Sequence, residues 1–262
     1  MSEPNILVDT DARGVATVAL NRPAIHNAFD DRLIADLTAA LYRLAGDRSV
    51  RVLVLTGSGE SFSAGGDLNW MRRMAGYSDS ENLADAMALA ELLRALNELP
   101  KPTVARVNGA AFAGGLGLVC CCDVAVAADE AIFSISEARL GLVPATISPY
   151  VVDAIGARAA RRYFLTAERF TAAEARRIGL VHEVAPRAAL DAAVEKIVAS
   201  LLEAGAGAQA RSKRLIADVQ DRPMSEALMA LTARAIAEAR ASAEAREGLA
   251  AFFAKRKPAW RR

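Results

Sequence analysis

The chain has 262 residues, 53% of them hydrophobic and 24% charged, with a formal net charge of +1. That is ample apolar material for a large core, and so even a charge balance excludes a general attraction to nucleic acid or acidic membranes. No apolar run of about eighteen residues is present to cross a membrane, and Met1-Ser2-Glu3-Pro4-Asn5 lacks the basic-then-apolar pattern of a secretion signal. A cytoplasmic location is expected.

In chain order, short strands are predicted over 6–9 and 15–20, on either side of a turn at 11–14. A helix is predicted over 31–45, with Leu33, Leu37, Leu41 and Leu44 on one face. Residues 50–56 read as a buried strand. Ser78 and Glu81 form a capping box for a long helix that stops before Pro100. A strand over 103–107 feeds a helix over 114–121, and short strands follow over 124–127 and 131–134. Thr171 and Glu174 make a second capping box, and 180–184 is the last strand. From residue 188 onward only helices are expected. Strands recur in pairs before helices, a ββα rhythm that predicts an α/β fold of stacked units in 1–187 and a helical region in 188–262. The tail offers modest apolar positions such as Leu228, Leu231 and Ile236, so it is expected to pack on partner subunits.

Two glycine-bearing segments stand out, Ser63-Ala64-Gly65-Gly66-Asp67-Leu68 and Asn108-Gly109-Ala110-Ala111-Phe112-Ala113-Gly114-Gly115-Leu116-Gly117. Each follows a β-branched run and precedes a helical pattern. A helix start has unpaired N–H groups and the positive end of the helix dipole, so two such turns can offer two donors to one oxyanion. Acyl chemistry is the first hypothesis. Other constellations are poorer. Cys120, Cys121 and Cys122 are consecutive and point in different directions, which suits small buried side chains rather than a metal cage. Two histidines, His26 and His182, leave little for a triad or a zinc site, and the second reads as structural. The G-x-G pieces lack a full dinucleotide fingerprint and a P-loop lysine.

These residues resemble the crotonase superfamily, the enoyl-CoA hydratases and isomerases. The resemblance runs through Leu20-Asn21-Arg22-Pro23, Asn27-Ala28-Phe29, the two glycine segments, Pro100-Lys101-Pro102, Cys122-Asp123, Ala172 with Glu174-Ala175, and Gly179-Leu180-Val181. It implies a spiral of ββα units with a C-terminal helical oligomerisation region, assembled as a homotrimer or a dimer of trimers. It implies an acyl-CoA substrate with no metal or separate cofactor, because coenzyme A is part of the substrate. The oxyanion amides fall on Ala64 and Gly114. The coenzyme contacts fall on His26, Ala28, Ala64, Gly65, Gly66, Asp67, Leu68 and Gly114. Hydratases of the family usually carry two glutamates, of which the second falls on Glu137. The first falls on Gly117, which has no side chain, so a one-carboxylate site is expected.

The block Pro144-Ala145-Thr146-Ile147-Ser148-Pro149-Tyr150, the stretch from Ala159 to Phe170, and Gly117 look like the bacterial methylglutaconyl-CoA hydratases of leucine breakdown, with terpenoid-acid relatives close by. Two alternatives stand beside hydration. One is double-bond isomerisation, which needs a single glutamate. The other is RNA binding, known among some relatives through a lysine-rich helix; the matching helix over 31–43 has no lysine. Asp67 also reads as a helix cap. Trp70, Met71 and Met74 are either pocket or core, and Lys255, Arg256 and Lys257 either meet coenzyme phosphates or keep the tail soluble.

Overall fold

The buried-strand patterns assemble into a six-stranded sheet in which five consecutive strands run parallel. A computed structural model of the chain describes residues 3–261; Met1 and Ser2, the start of the segment read for a secretion signal, and Arg262 lie outside the described residues. The strands, numbered along the chain, are β1 (Ile6–Thr10), β2 (Val15–Leu20), β3 (Val52–Gly57), β4 (Thr103–Val107), β5 (Ala111–Phe112), β6 (Val124–Ala128), β7 (Ile132–Ser134), β8 (Phe170–Thr171) and β9 (Glu183–Ala185). The large sheet has the order β1-β2-β3-β4-β6-β9, with only β1 antiparallel, and a small sheet has the order β5-β7-β8. The helices are α1 (Asp31–Gly46), α2 (Leu68–Met74), α3 (Asp79–Asn97), α4 (Gly114–Cys121), α5 (Ser148–Thr166), α6 (Ala172–Arg177), α7 (Leu190–Glu203), α8 (Ala206–Val219), α9 (Glu226–Ala241) and α10 (Ala243–Phe253). The expected α/β architecture is therefore present.

Local chemistry sets the element ends. Asp30 caps α1 by accepting from the Leu33 N–H at 2.8 Å. The Ser78–Glu81 box forms reciprocally at the start of α3. The second box forms by half. Thr171 accepts from the Glu174 N–H, but the Glu174 carboxylate is drawn to the Tyr163 hydroxyl at 2.5 Å and to Arg177. The strand expected over 180–184 is also displaced. The Leu180 N–H turns back onto the Ala175 carbonyl, so buried Leu180 and Val181 belong to the turn after α6, and pairing begins at Glu183. Helix α5 was not foreseen as an element; its interior carries a break at Gly156, where φ is 72°.

Two apolar layers hold the sheet. On one face α1, α3 and α4 bury Leu33, Leu37, Leu41, Leu92, Leu93 and Leu116 against β-strand residues such as Leu53 and Leu55. On the other face, Leu190, Val194 and Val198 of α7 pack on Val52, Val54, Val104 and Val126. Helix α7 thus docks on the sheet, although it lies beyond the division drawn at residue 187. Helices α8 to α10 bury almost nothing within the chain, with only Leu228 and Ala251 shielded among their described residues.

One joint brings the two glycine segments together. The Asn108 side chain donates to the Gly59 carbonyl at 2.9 Å and accepts from the Gly57 N–H at 3.2 Å. Gly109 then lies flat against residues 60–61: a Cβ there would overlap the Glu60 carbonyl oxygen and stand 3.2 Å from the Ser61 Cα. Backbone cannot yield as a side chain can, so Gly109→Ala is expected to cost roughly 2–3 kcal/mol or more, as overpacking does. Urea unfolding of the variant checks this.

Candidate active site

The site is built where the segment 26–29 runs beside the segment 63–67. Asn27, fully buried, donates through its side-chain amide to the Ser58 and Ser61 carbonyls and accepts from the Arg22 N–H. The Arg22 guanidinium reaches the Ala28 carbonyl at 2.8 Å, Asp67 at 2.9 Å and Asp30 at 3.0 Å. Asp67 in turn caps α2, accepting from the Asn69 N–H at 2.7 Å and the Trp70 N–H at 3.3 Å. Burial alone pushes the Asp67 carboxyl up, but those amides and Arg22 outweigh it and hold it below the ordinary value. Asp67, expected among the coenzyme contacts and as a cap, is fully engaged in the cap and the ion pair.

The hydrogen bonds decide which amides are free. The Ala64 N–H donates to the His26 carbonyl at 2.9 Å, so it is not available to an oxyanion, contrary to the expectation from sequence. Phe29 and Gly66 form an isolated parallel bridge, in which the Phe29 N–H donates to the Gly65 carbonyl and the Asp67 N–H donates to the Phe29 carbonyl, both at 2.7 Å. In that pattern the bridged residue's own N–H faces the opposite side. The Gly66 N–H, by contrast, has no backbone acceptor among the described residues, and the residue is partly exposed. Sequence reasoning had placed Gly66 only among the coenzyme contacts.

Gly114, the second oxyanion candidate from sequence, also has a free amide. It is the first residue of α4, so its N–H has no intrahelical acceptor, and it also is partly exposed. Its lack of a side chain is required, because a Cβ would lie 2.7 Å from the Phe29 ring. Ala113 before it has φ 48° and ψ −120°, a region disfavoured for a residue with a Cβ, and it is pinned by its N–H to the Ser134 carbonyl. The Ala113 carbonyl still accepts from the Gly117 N–H at 3.1 Å, so the strained residue delivers its peptide into the first turn of α4. The two loops touch, since a Cβ on Gly65 would be 3.1 Å from that of Ala113.

Glu137 opens a tight helical turn, Glu137–Leu140, closed by Gly141 in the left-handed region. Its Oε2 is sealed from solvent and has no hydrogen-bond partner among the described residues. Burial raises its carboxyl above the ordinary 4.5, against a smaller lowering from its own backbone N–H. A carboxyl raised this way, with one oxygen left unpartnered, suits proton transfer. At position 117 nothing ionisable exists, and Ile147 and Leu93 occupy the surrounding space.

The remaining candidates sort plainly. His26 is exposed, with its Nδ1 3.0 Å from the Ser61 hydroxyl, and Leu68 is exposed at the start of α2. Ala28 is buried and contributes its carbonyl to Arg22. Trp70 is core, its indole N–H donating to Asp85, whereas Met71 lies beside Gly66. His182 is structural: its Nδ1 accepts from the Ala125 N–H. Arg256 is committed to Glu247 through two hydrogen bonds. The cysteines are held above their ordinary range by burial, Cys122 up to about 12.

The raised Glu137 carboxyl has a cost for folding. The folded chain binds this proton more tightly than the unfolded chain, so its contribution to stability is whole below about pH 4 and is lost as pH rises through the raised value. Glu137→Gln is therefore expected to melt above wild type at pH 7, with the difference vanishing near pH 4. Calorimetry at both pH values checks the sign.

Comparison with known proteins shows the family. The family model for enoyl-CoA hydratase/isomerase matches residues 10–262. An enoyl-CoA hydratase structure from Shewanella pealeana is 43% identical, covering 98% of this chain and 96% of that one, with a TM-score of 0.95. AtuE of Pseudomonas aeruginosa is 38% identical over 99% of this chain and 100% of its own, with a TM-score of 0.94. The crotonyl-CoA hydratase of Syntrophomonas wolfei is 32% identical over 98% of each chain. Free amides at two loop ends, a buried lone carboxylate and these end-to-end likenesses agree: the chain belongs to the enoyl-CoA hydratase/isomerase family and has the crotonase fold.

Proposed function

We propose that the chain adds water across the α,β-double bond of an acyl-CoA thioester. The observation that carries this reading is the buried, unpartnered carboxylate of Glu137. The thioester oxygen accepts from the Gly66 and Gly114 amides. Glu137 takes a proton from water as the water oxygen bonds to the β-carbon. The electron pair of the double bond moves onto the α-carbon and thioester oxygen as an enolate. Glu137 then returns the proton to the α-carbon, and the thioester re-forms. Each oxyanion donor lowers the barrier by about 2.7–4 kcal/mol in comparable sites. No step draws on a metal or a redox cofactor, and coenzyme A enters as part of the substrate, with exposed His26 beside its path.

The substrate we favour is a branched glutaconyl thioester such as methylglutaconyl-CoA. With glycine at 117, the enzyme has one carboxylate to take and return a proton and none to hold water in place. A distal carboxylate on the substrate can orient that water instead. The lone carboxylate also favours a second reading, in which Glu137 shuttles a proton between C2 and C4 of an enoyl-CoA and only the double bond moves. The names of the relatives support hydration.

The same unpartnered helices support self-association. Phe252 and Phe253 are about three-quarters exposed, at 75% and 77%, and α8 and α9 border an open groove of about 860 Å³. We infer a homotrimer, alone or paired into a hexamer, with these helices in the contact. Sedimentation at micromolar concentration is expected to give three or six copies, and a stable monomer would contradict it.

A substrate panel tests the chemistry. Methylglutaconyl-CoA is expected to be hydrated at least tenfold faster than crotonyl-CoA, and Glu137→Gln is expected to lose about 10²–10⁴ in kcat with thioester binding largely kept. Equal hydration of both thioesters would remove substrate assistance. Migration of the double bond without hydration would establish the isomerase reading.

A further inference from the structure

Position 117 lies one turn along α4 from Gly114, so a side chain there would stand on the same helix face as the oxyanion donor. The space is not empty. A Cβ at 117 would overlap the Ile147 Cγ2, stand 3.0 Å from the Ile147 Cβ and 3.5 Å from the Leu93 Cδ2. Ile147 is 1% exposed and Leu93 fully buried, both in the main core. Ile147 immediately precedes α5 and takes the N-cap position without a capping side chain. Helix α5 packs on α4 and on the turn that carries Glu137. Ile147 therefore meets α4 at the point where the chain enters α5, the helix that also packs on the Glu137 turn.

We propose that Ile147 is a specificity-determining residue, whose side chain fills the volume a residue at 117 would need and so fixes a site with one carboxylate. Gly117 and Ile147 form an interlocked pair, and neither position can be reassigned alone. A glutamate at 117 meets the isoleucine before it can reach the substrate. This rests on the hydratase reading for its effect on substrate choice, but the interlock itself does not.

A double-mutant cycle measures the interlock without any chemistry. Gly117→Ala adds only the Cβ at issue and is expected to lower Tm by roughly 3–8 °C, as overpacking does. In an Ile147→Ala background the same change is expected to lower Tm by less than half as much. Equal losses in both backgrounds would overturn the proposal, whatever reaction the protein catalyses. The second arm reads kcat/KM for crotonyl-CoA and methylglutaconyl-CoA. Gly117→Glu alone is expected to lose activity on both. Combined with Ile147→Gly, it is expected to gain at least about tenfold on crotonyl-CoA over wild type and to reduce the preference for the diacid thioester, because a second carboxylate can then hold water. A single Gly117→Glu variant that gains as much as the double variant would show that Ile147 does not guard the position. If the wild type hydrates neither thioester while the Tm coupling holds, the hydratase reading fails and the interlock stands.

Discussion

The site depends on one short piece of backbone pairing, the parallel bridge between Phe29 and Gly66. It decides, by alternation, which amides of the 64–67 loop face inward to the chain and which face the substrate space. Ala64 and Asp67 turn toward residues 26–29, and Gly66 turns away. The same Phe29 carries its ring beneath Gly114. A single residue thus orders one loop through its backbone and limits the other through its side chain. The Arg22 ion pairs and the Asn27 side chain hold this segment in place, which places partly buried charge and buried polar groups in structural service around the amides rather than in the chemistry.

Around this frame the electrostatics are asymmetric. Asp67 is stabilised in its charged form by a cap and a guanidinium, whereas Glu137 has almost nothing to stabilise its charge. Two carboxylates on adjoining parts of the fold are driven in opposite directions by their surroundings. The one with satisfied lone pairs steadies a helix. The one without them holds its proton above the ordinary carboxyl range.

Much of this was legible in the sequence, and the gaps have physical causes. The strands at 15–20 and 103–107 and the helix at 114–121 announce themselves because apolar periodicity and flanking turns agree. Residues 180–184 mislead because Leu180 and Val181 are apolar and buried, yet their amides are taken by the end of α6. Glu174 satisfies the capping-box spacing but has two competitors, Arg177 one turn along its own helix and Tyr163, which only the folded chain brings near. The site glycines and Glu137 could be found from their motifs. The choice of Gly66 over Ala64 could not, because it depends on which carbonyl each amide meets. The missing carboxylate at 117 is visible as a letter, but its replacement by Ile147 lies thirty positions away and emerges only from packing.

The sealed Oε2 of Glu137 gives the site a form of memory. A proton on that oxygen has no hydrogen-bonded neighbour among the described residues to pass it on. If the group works as a shuttle within one acyl chain, an isotope placed at the origin carbon would be carried to the destination carbon in the same molecule. If it works on water, the isotope on the product would be that of the medium. A labelled substrate would therefore report where a proton passing through this carboxylate came from.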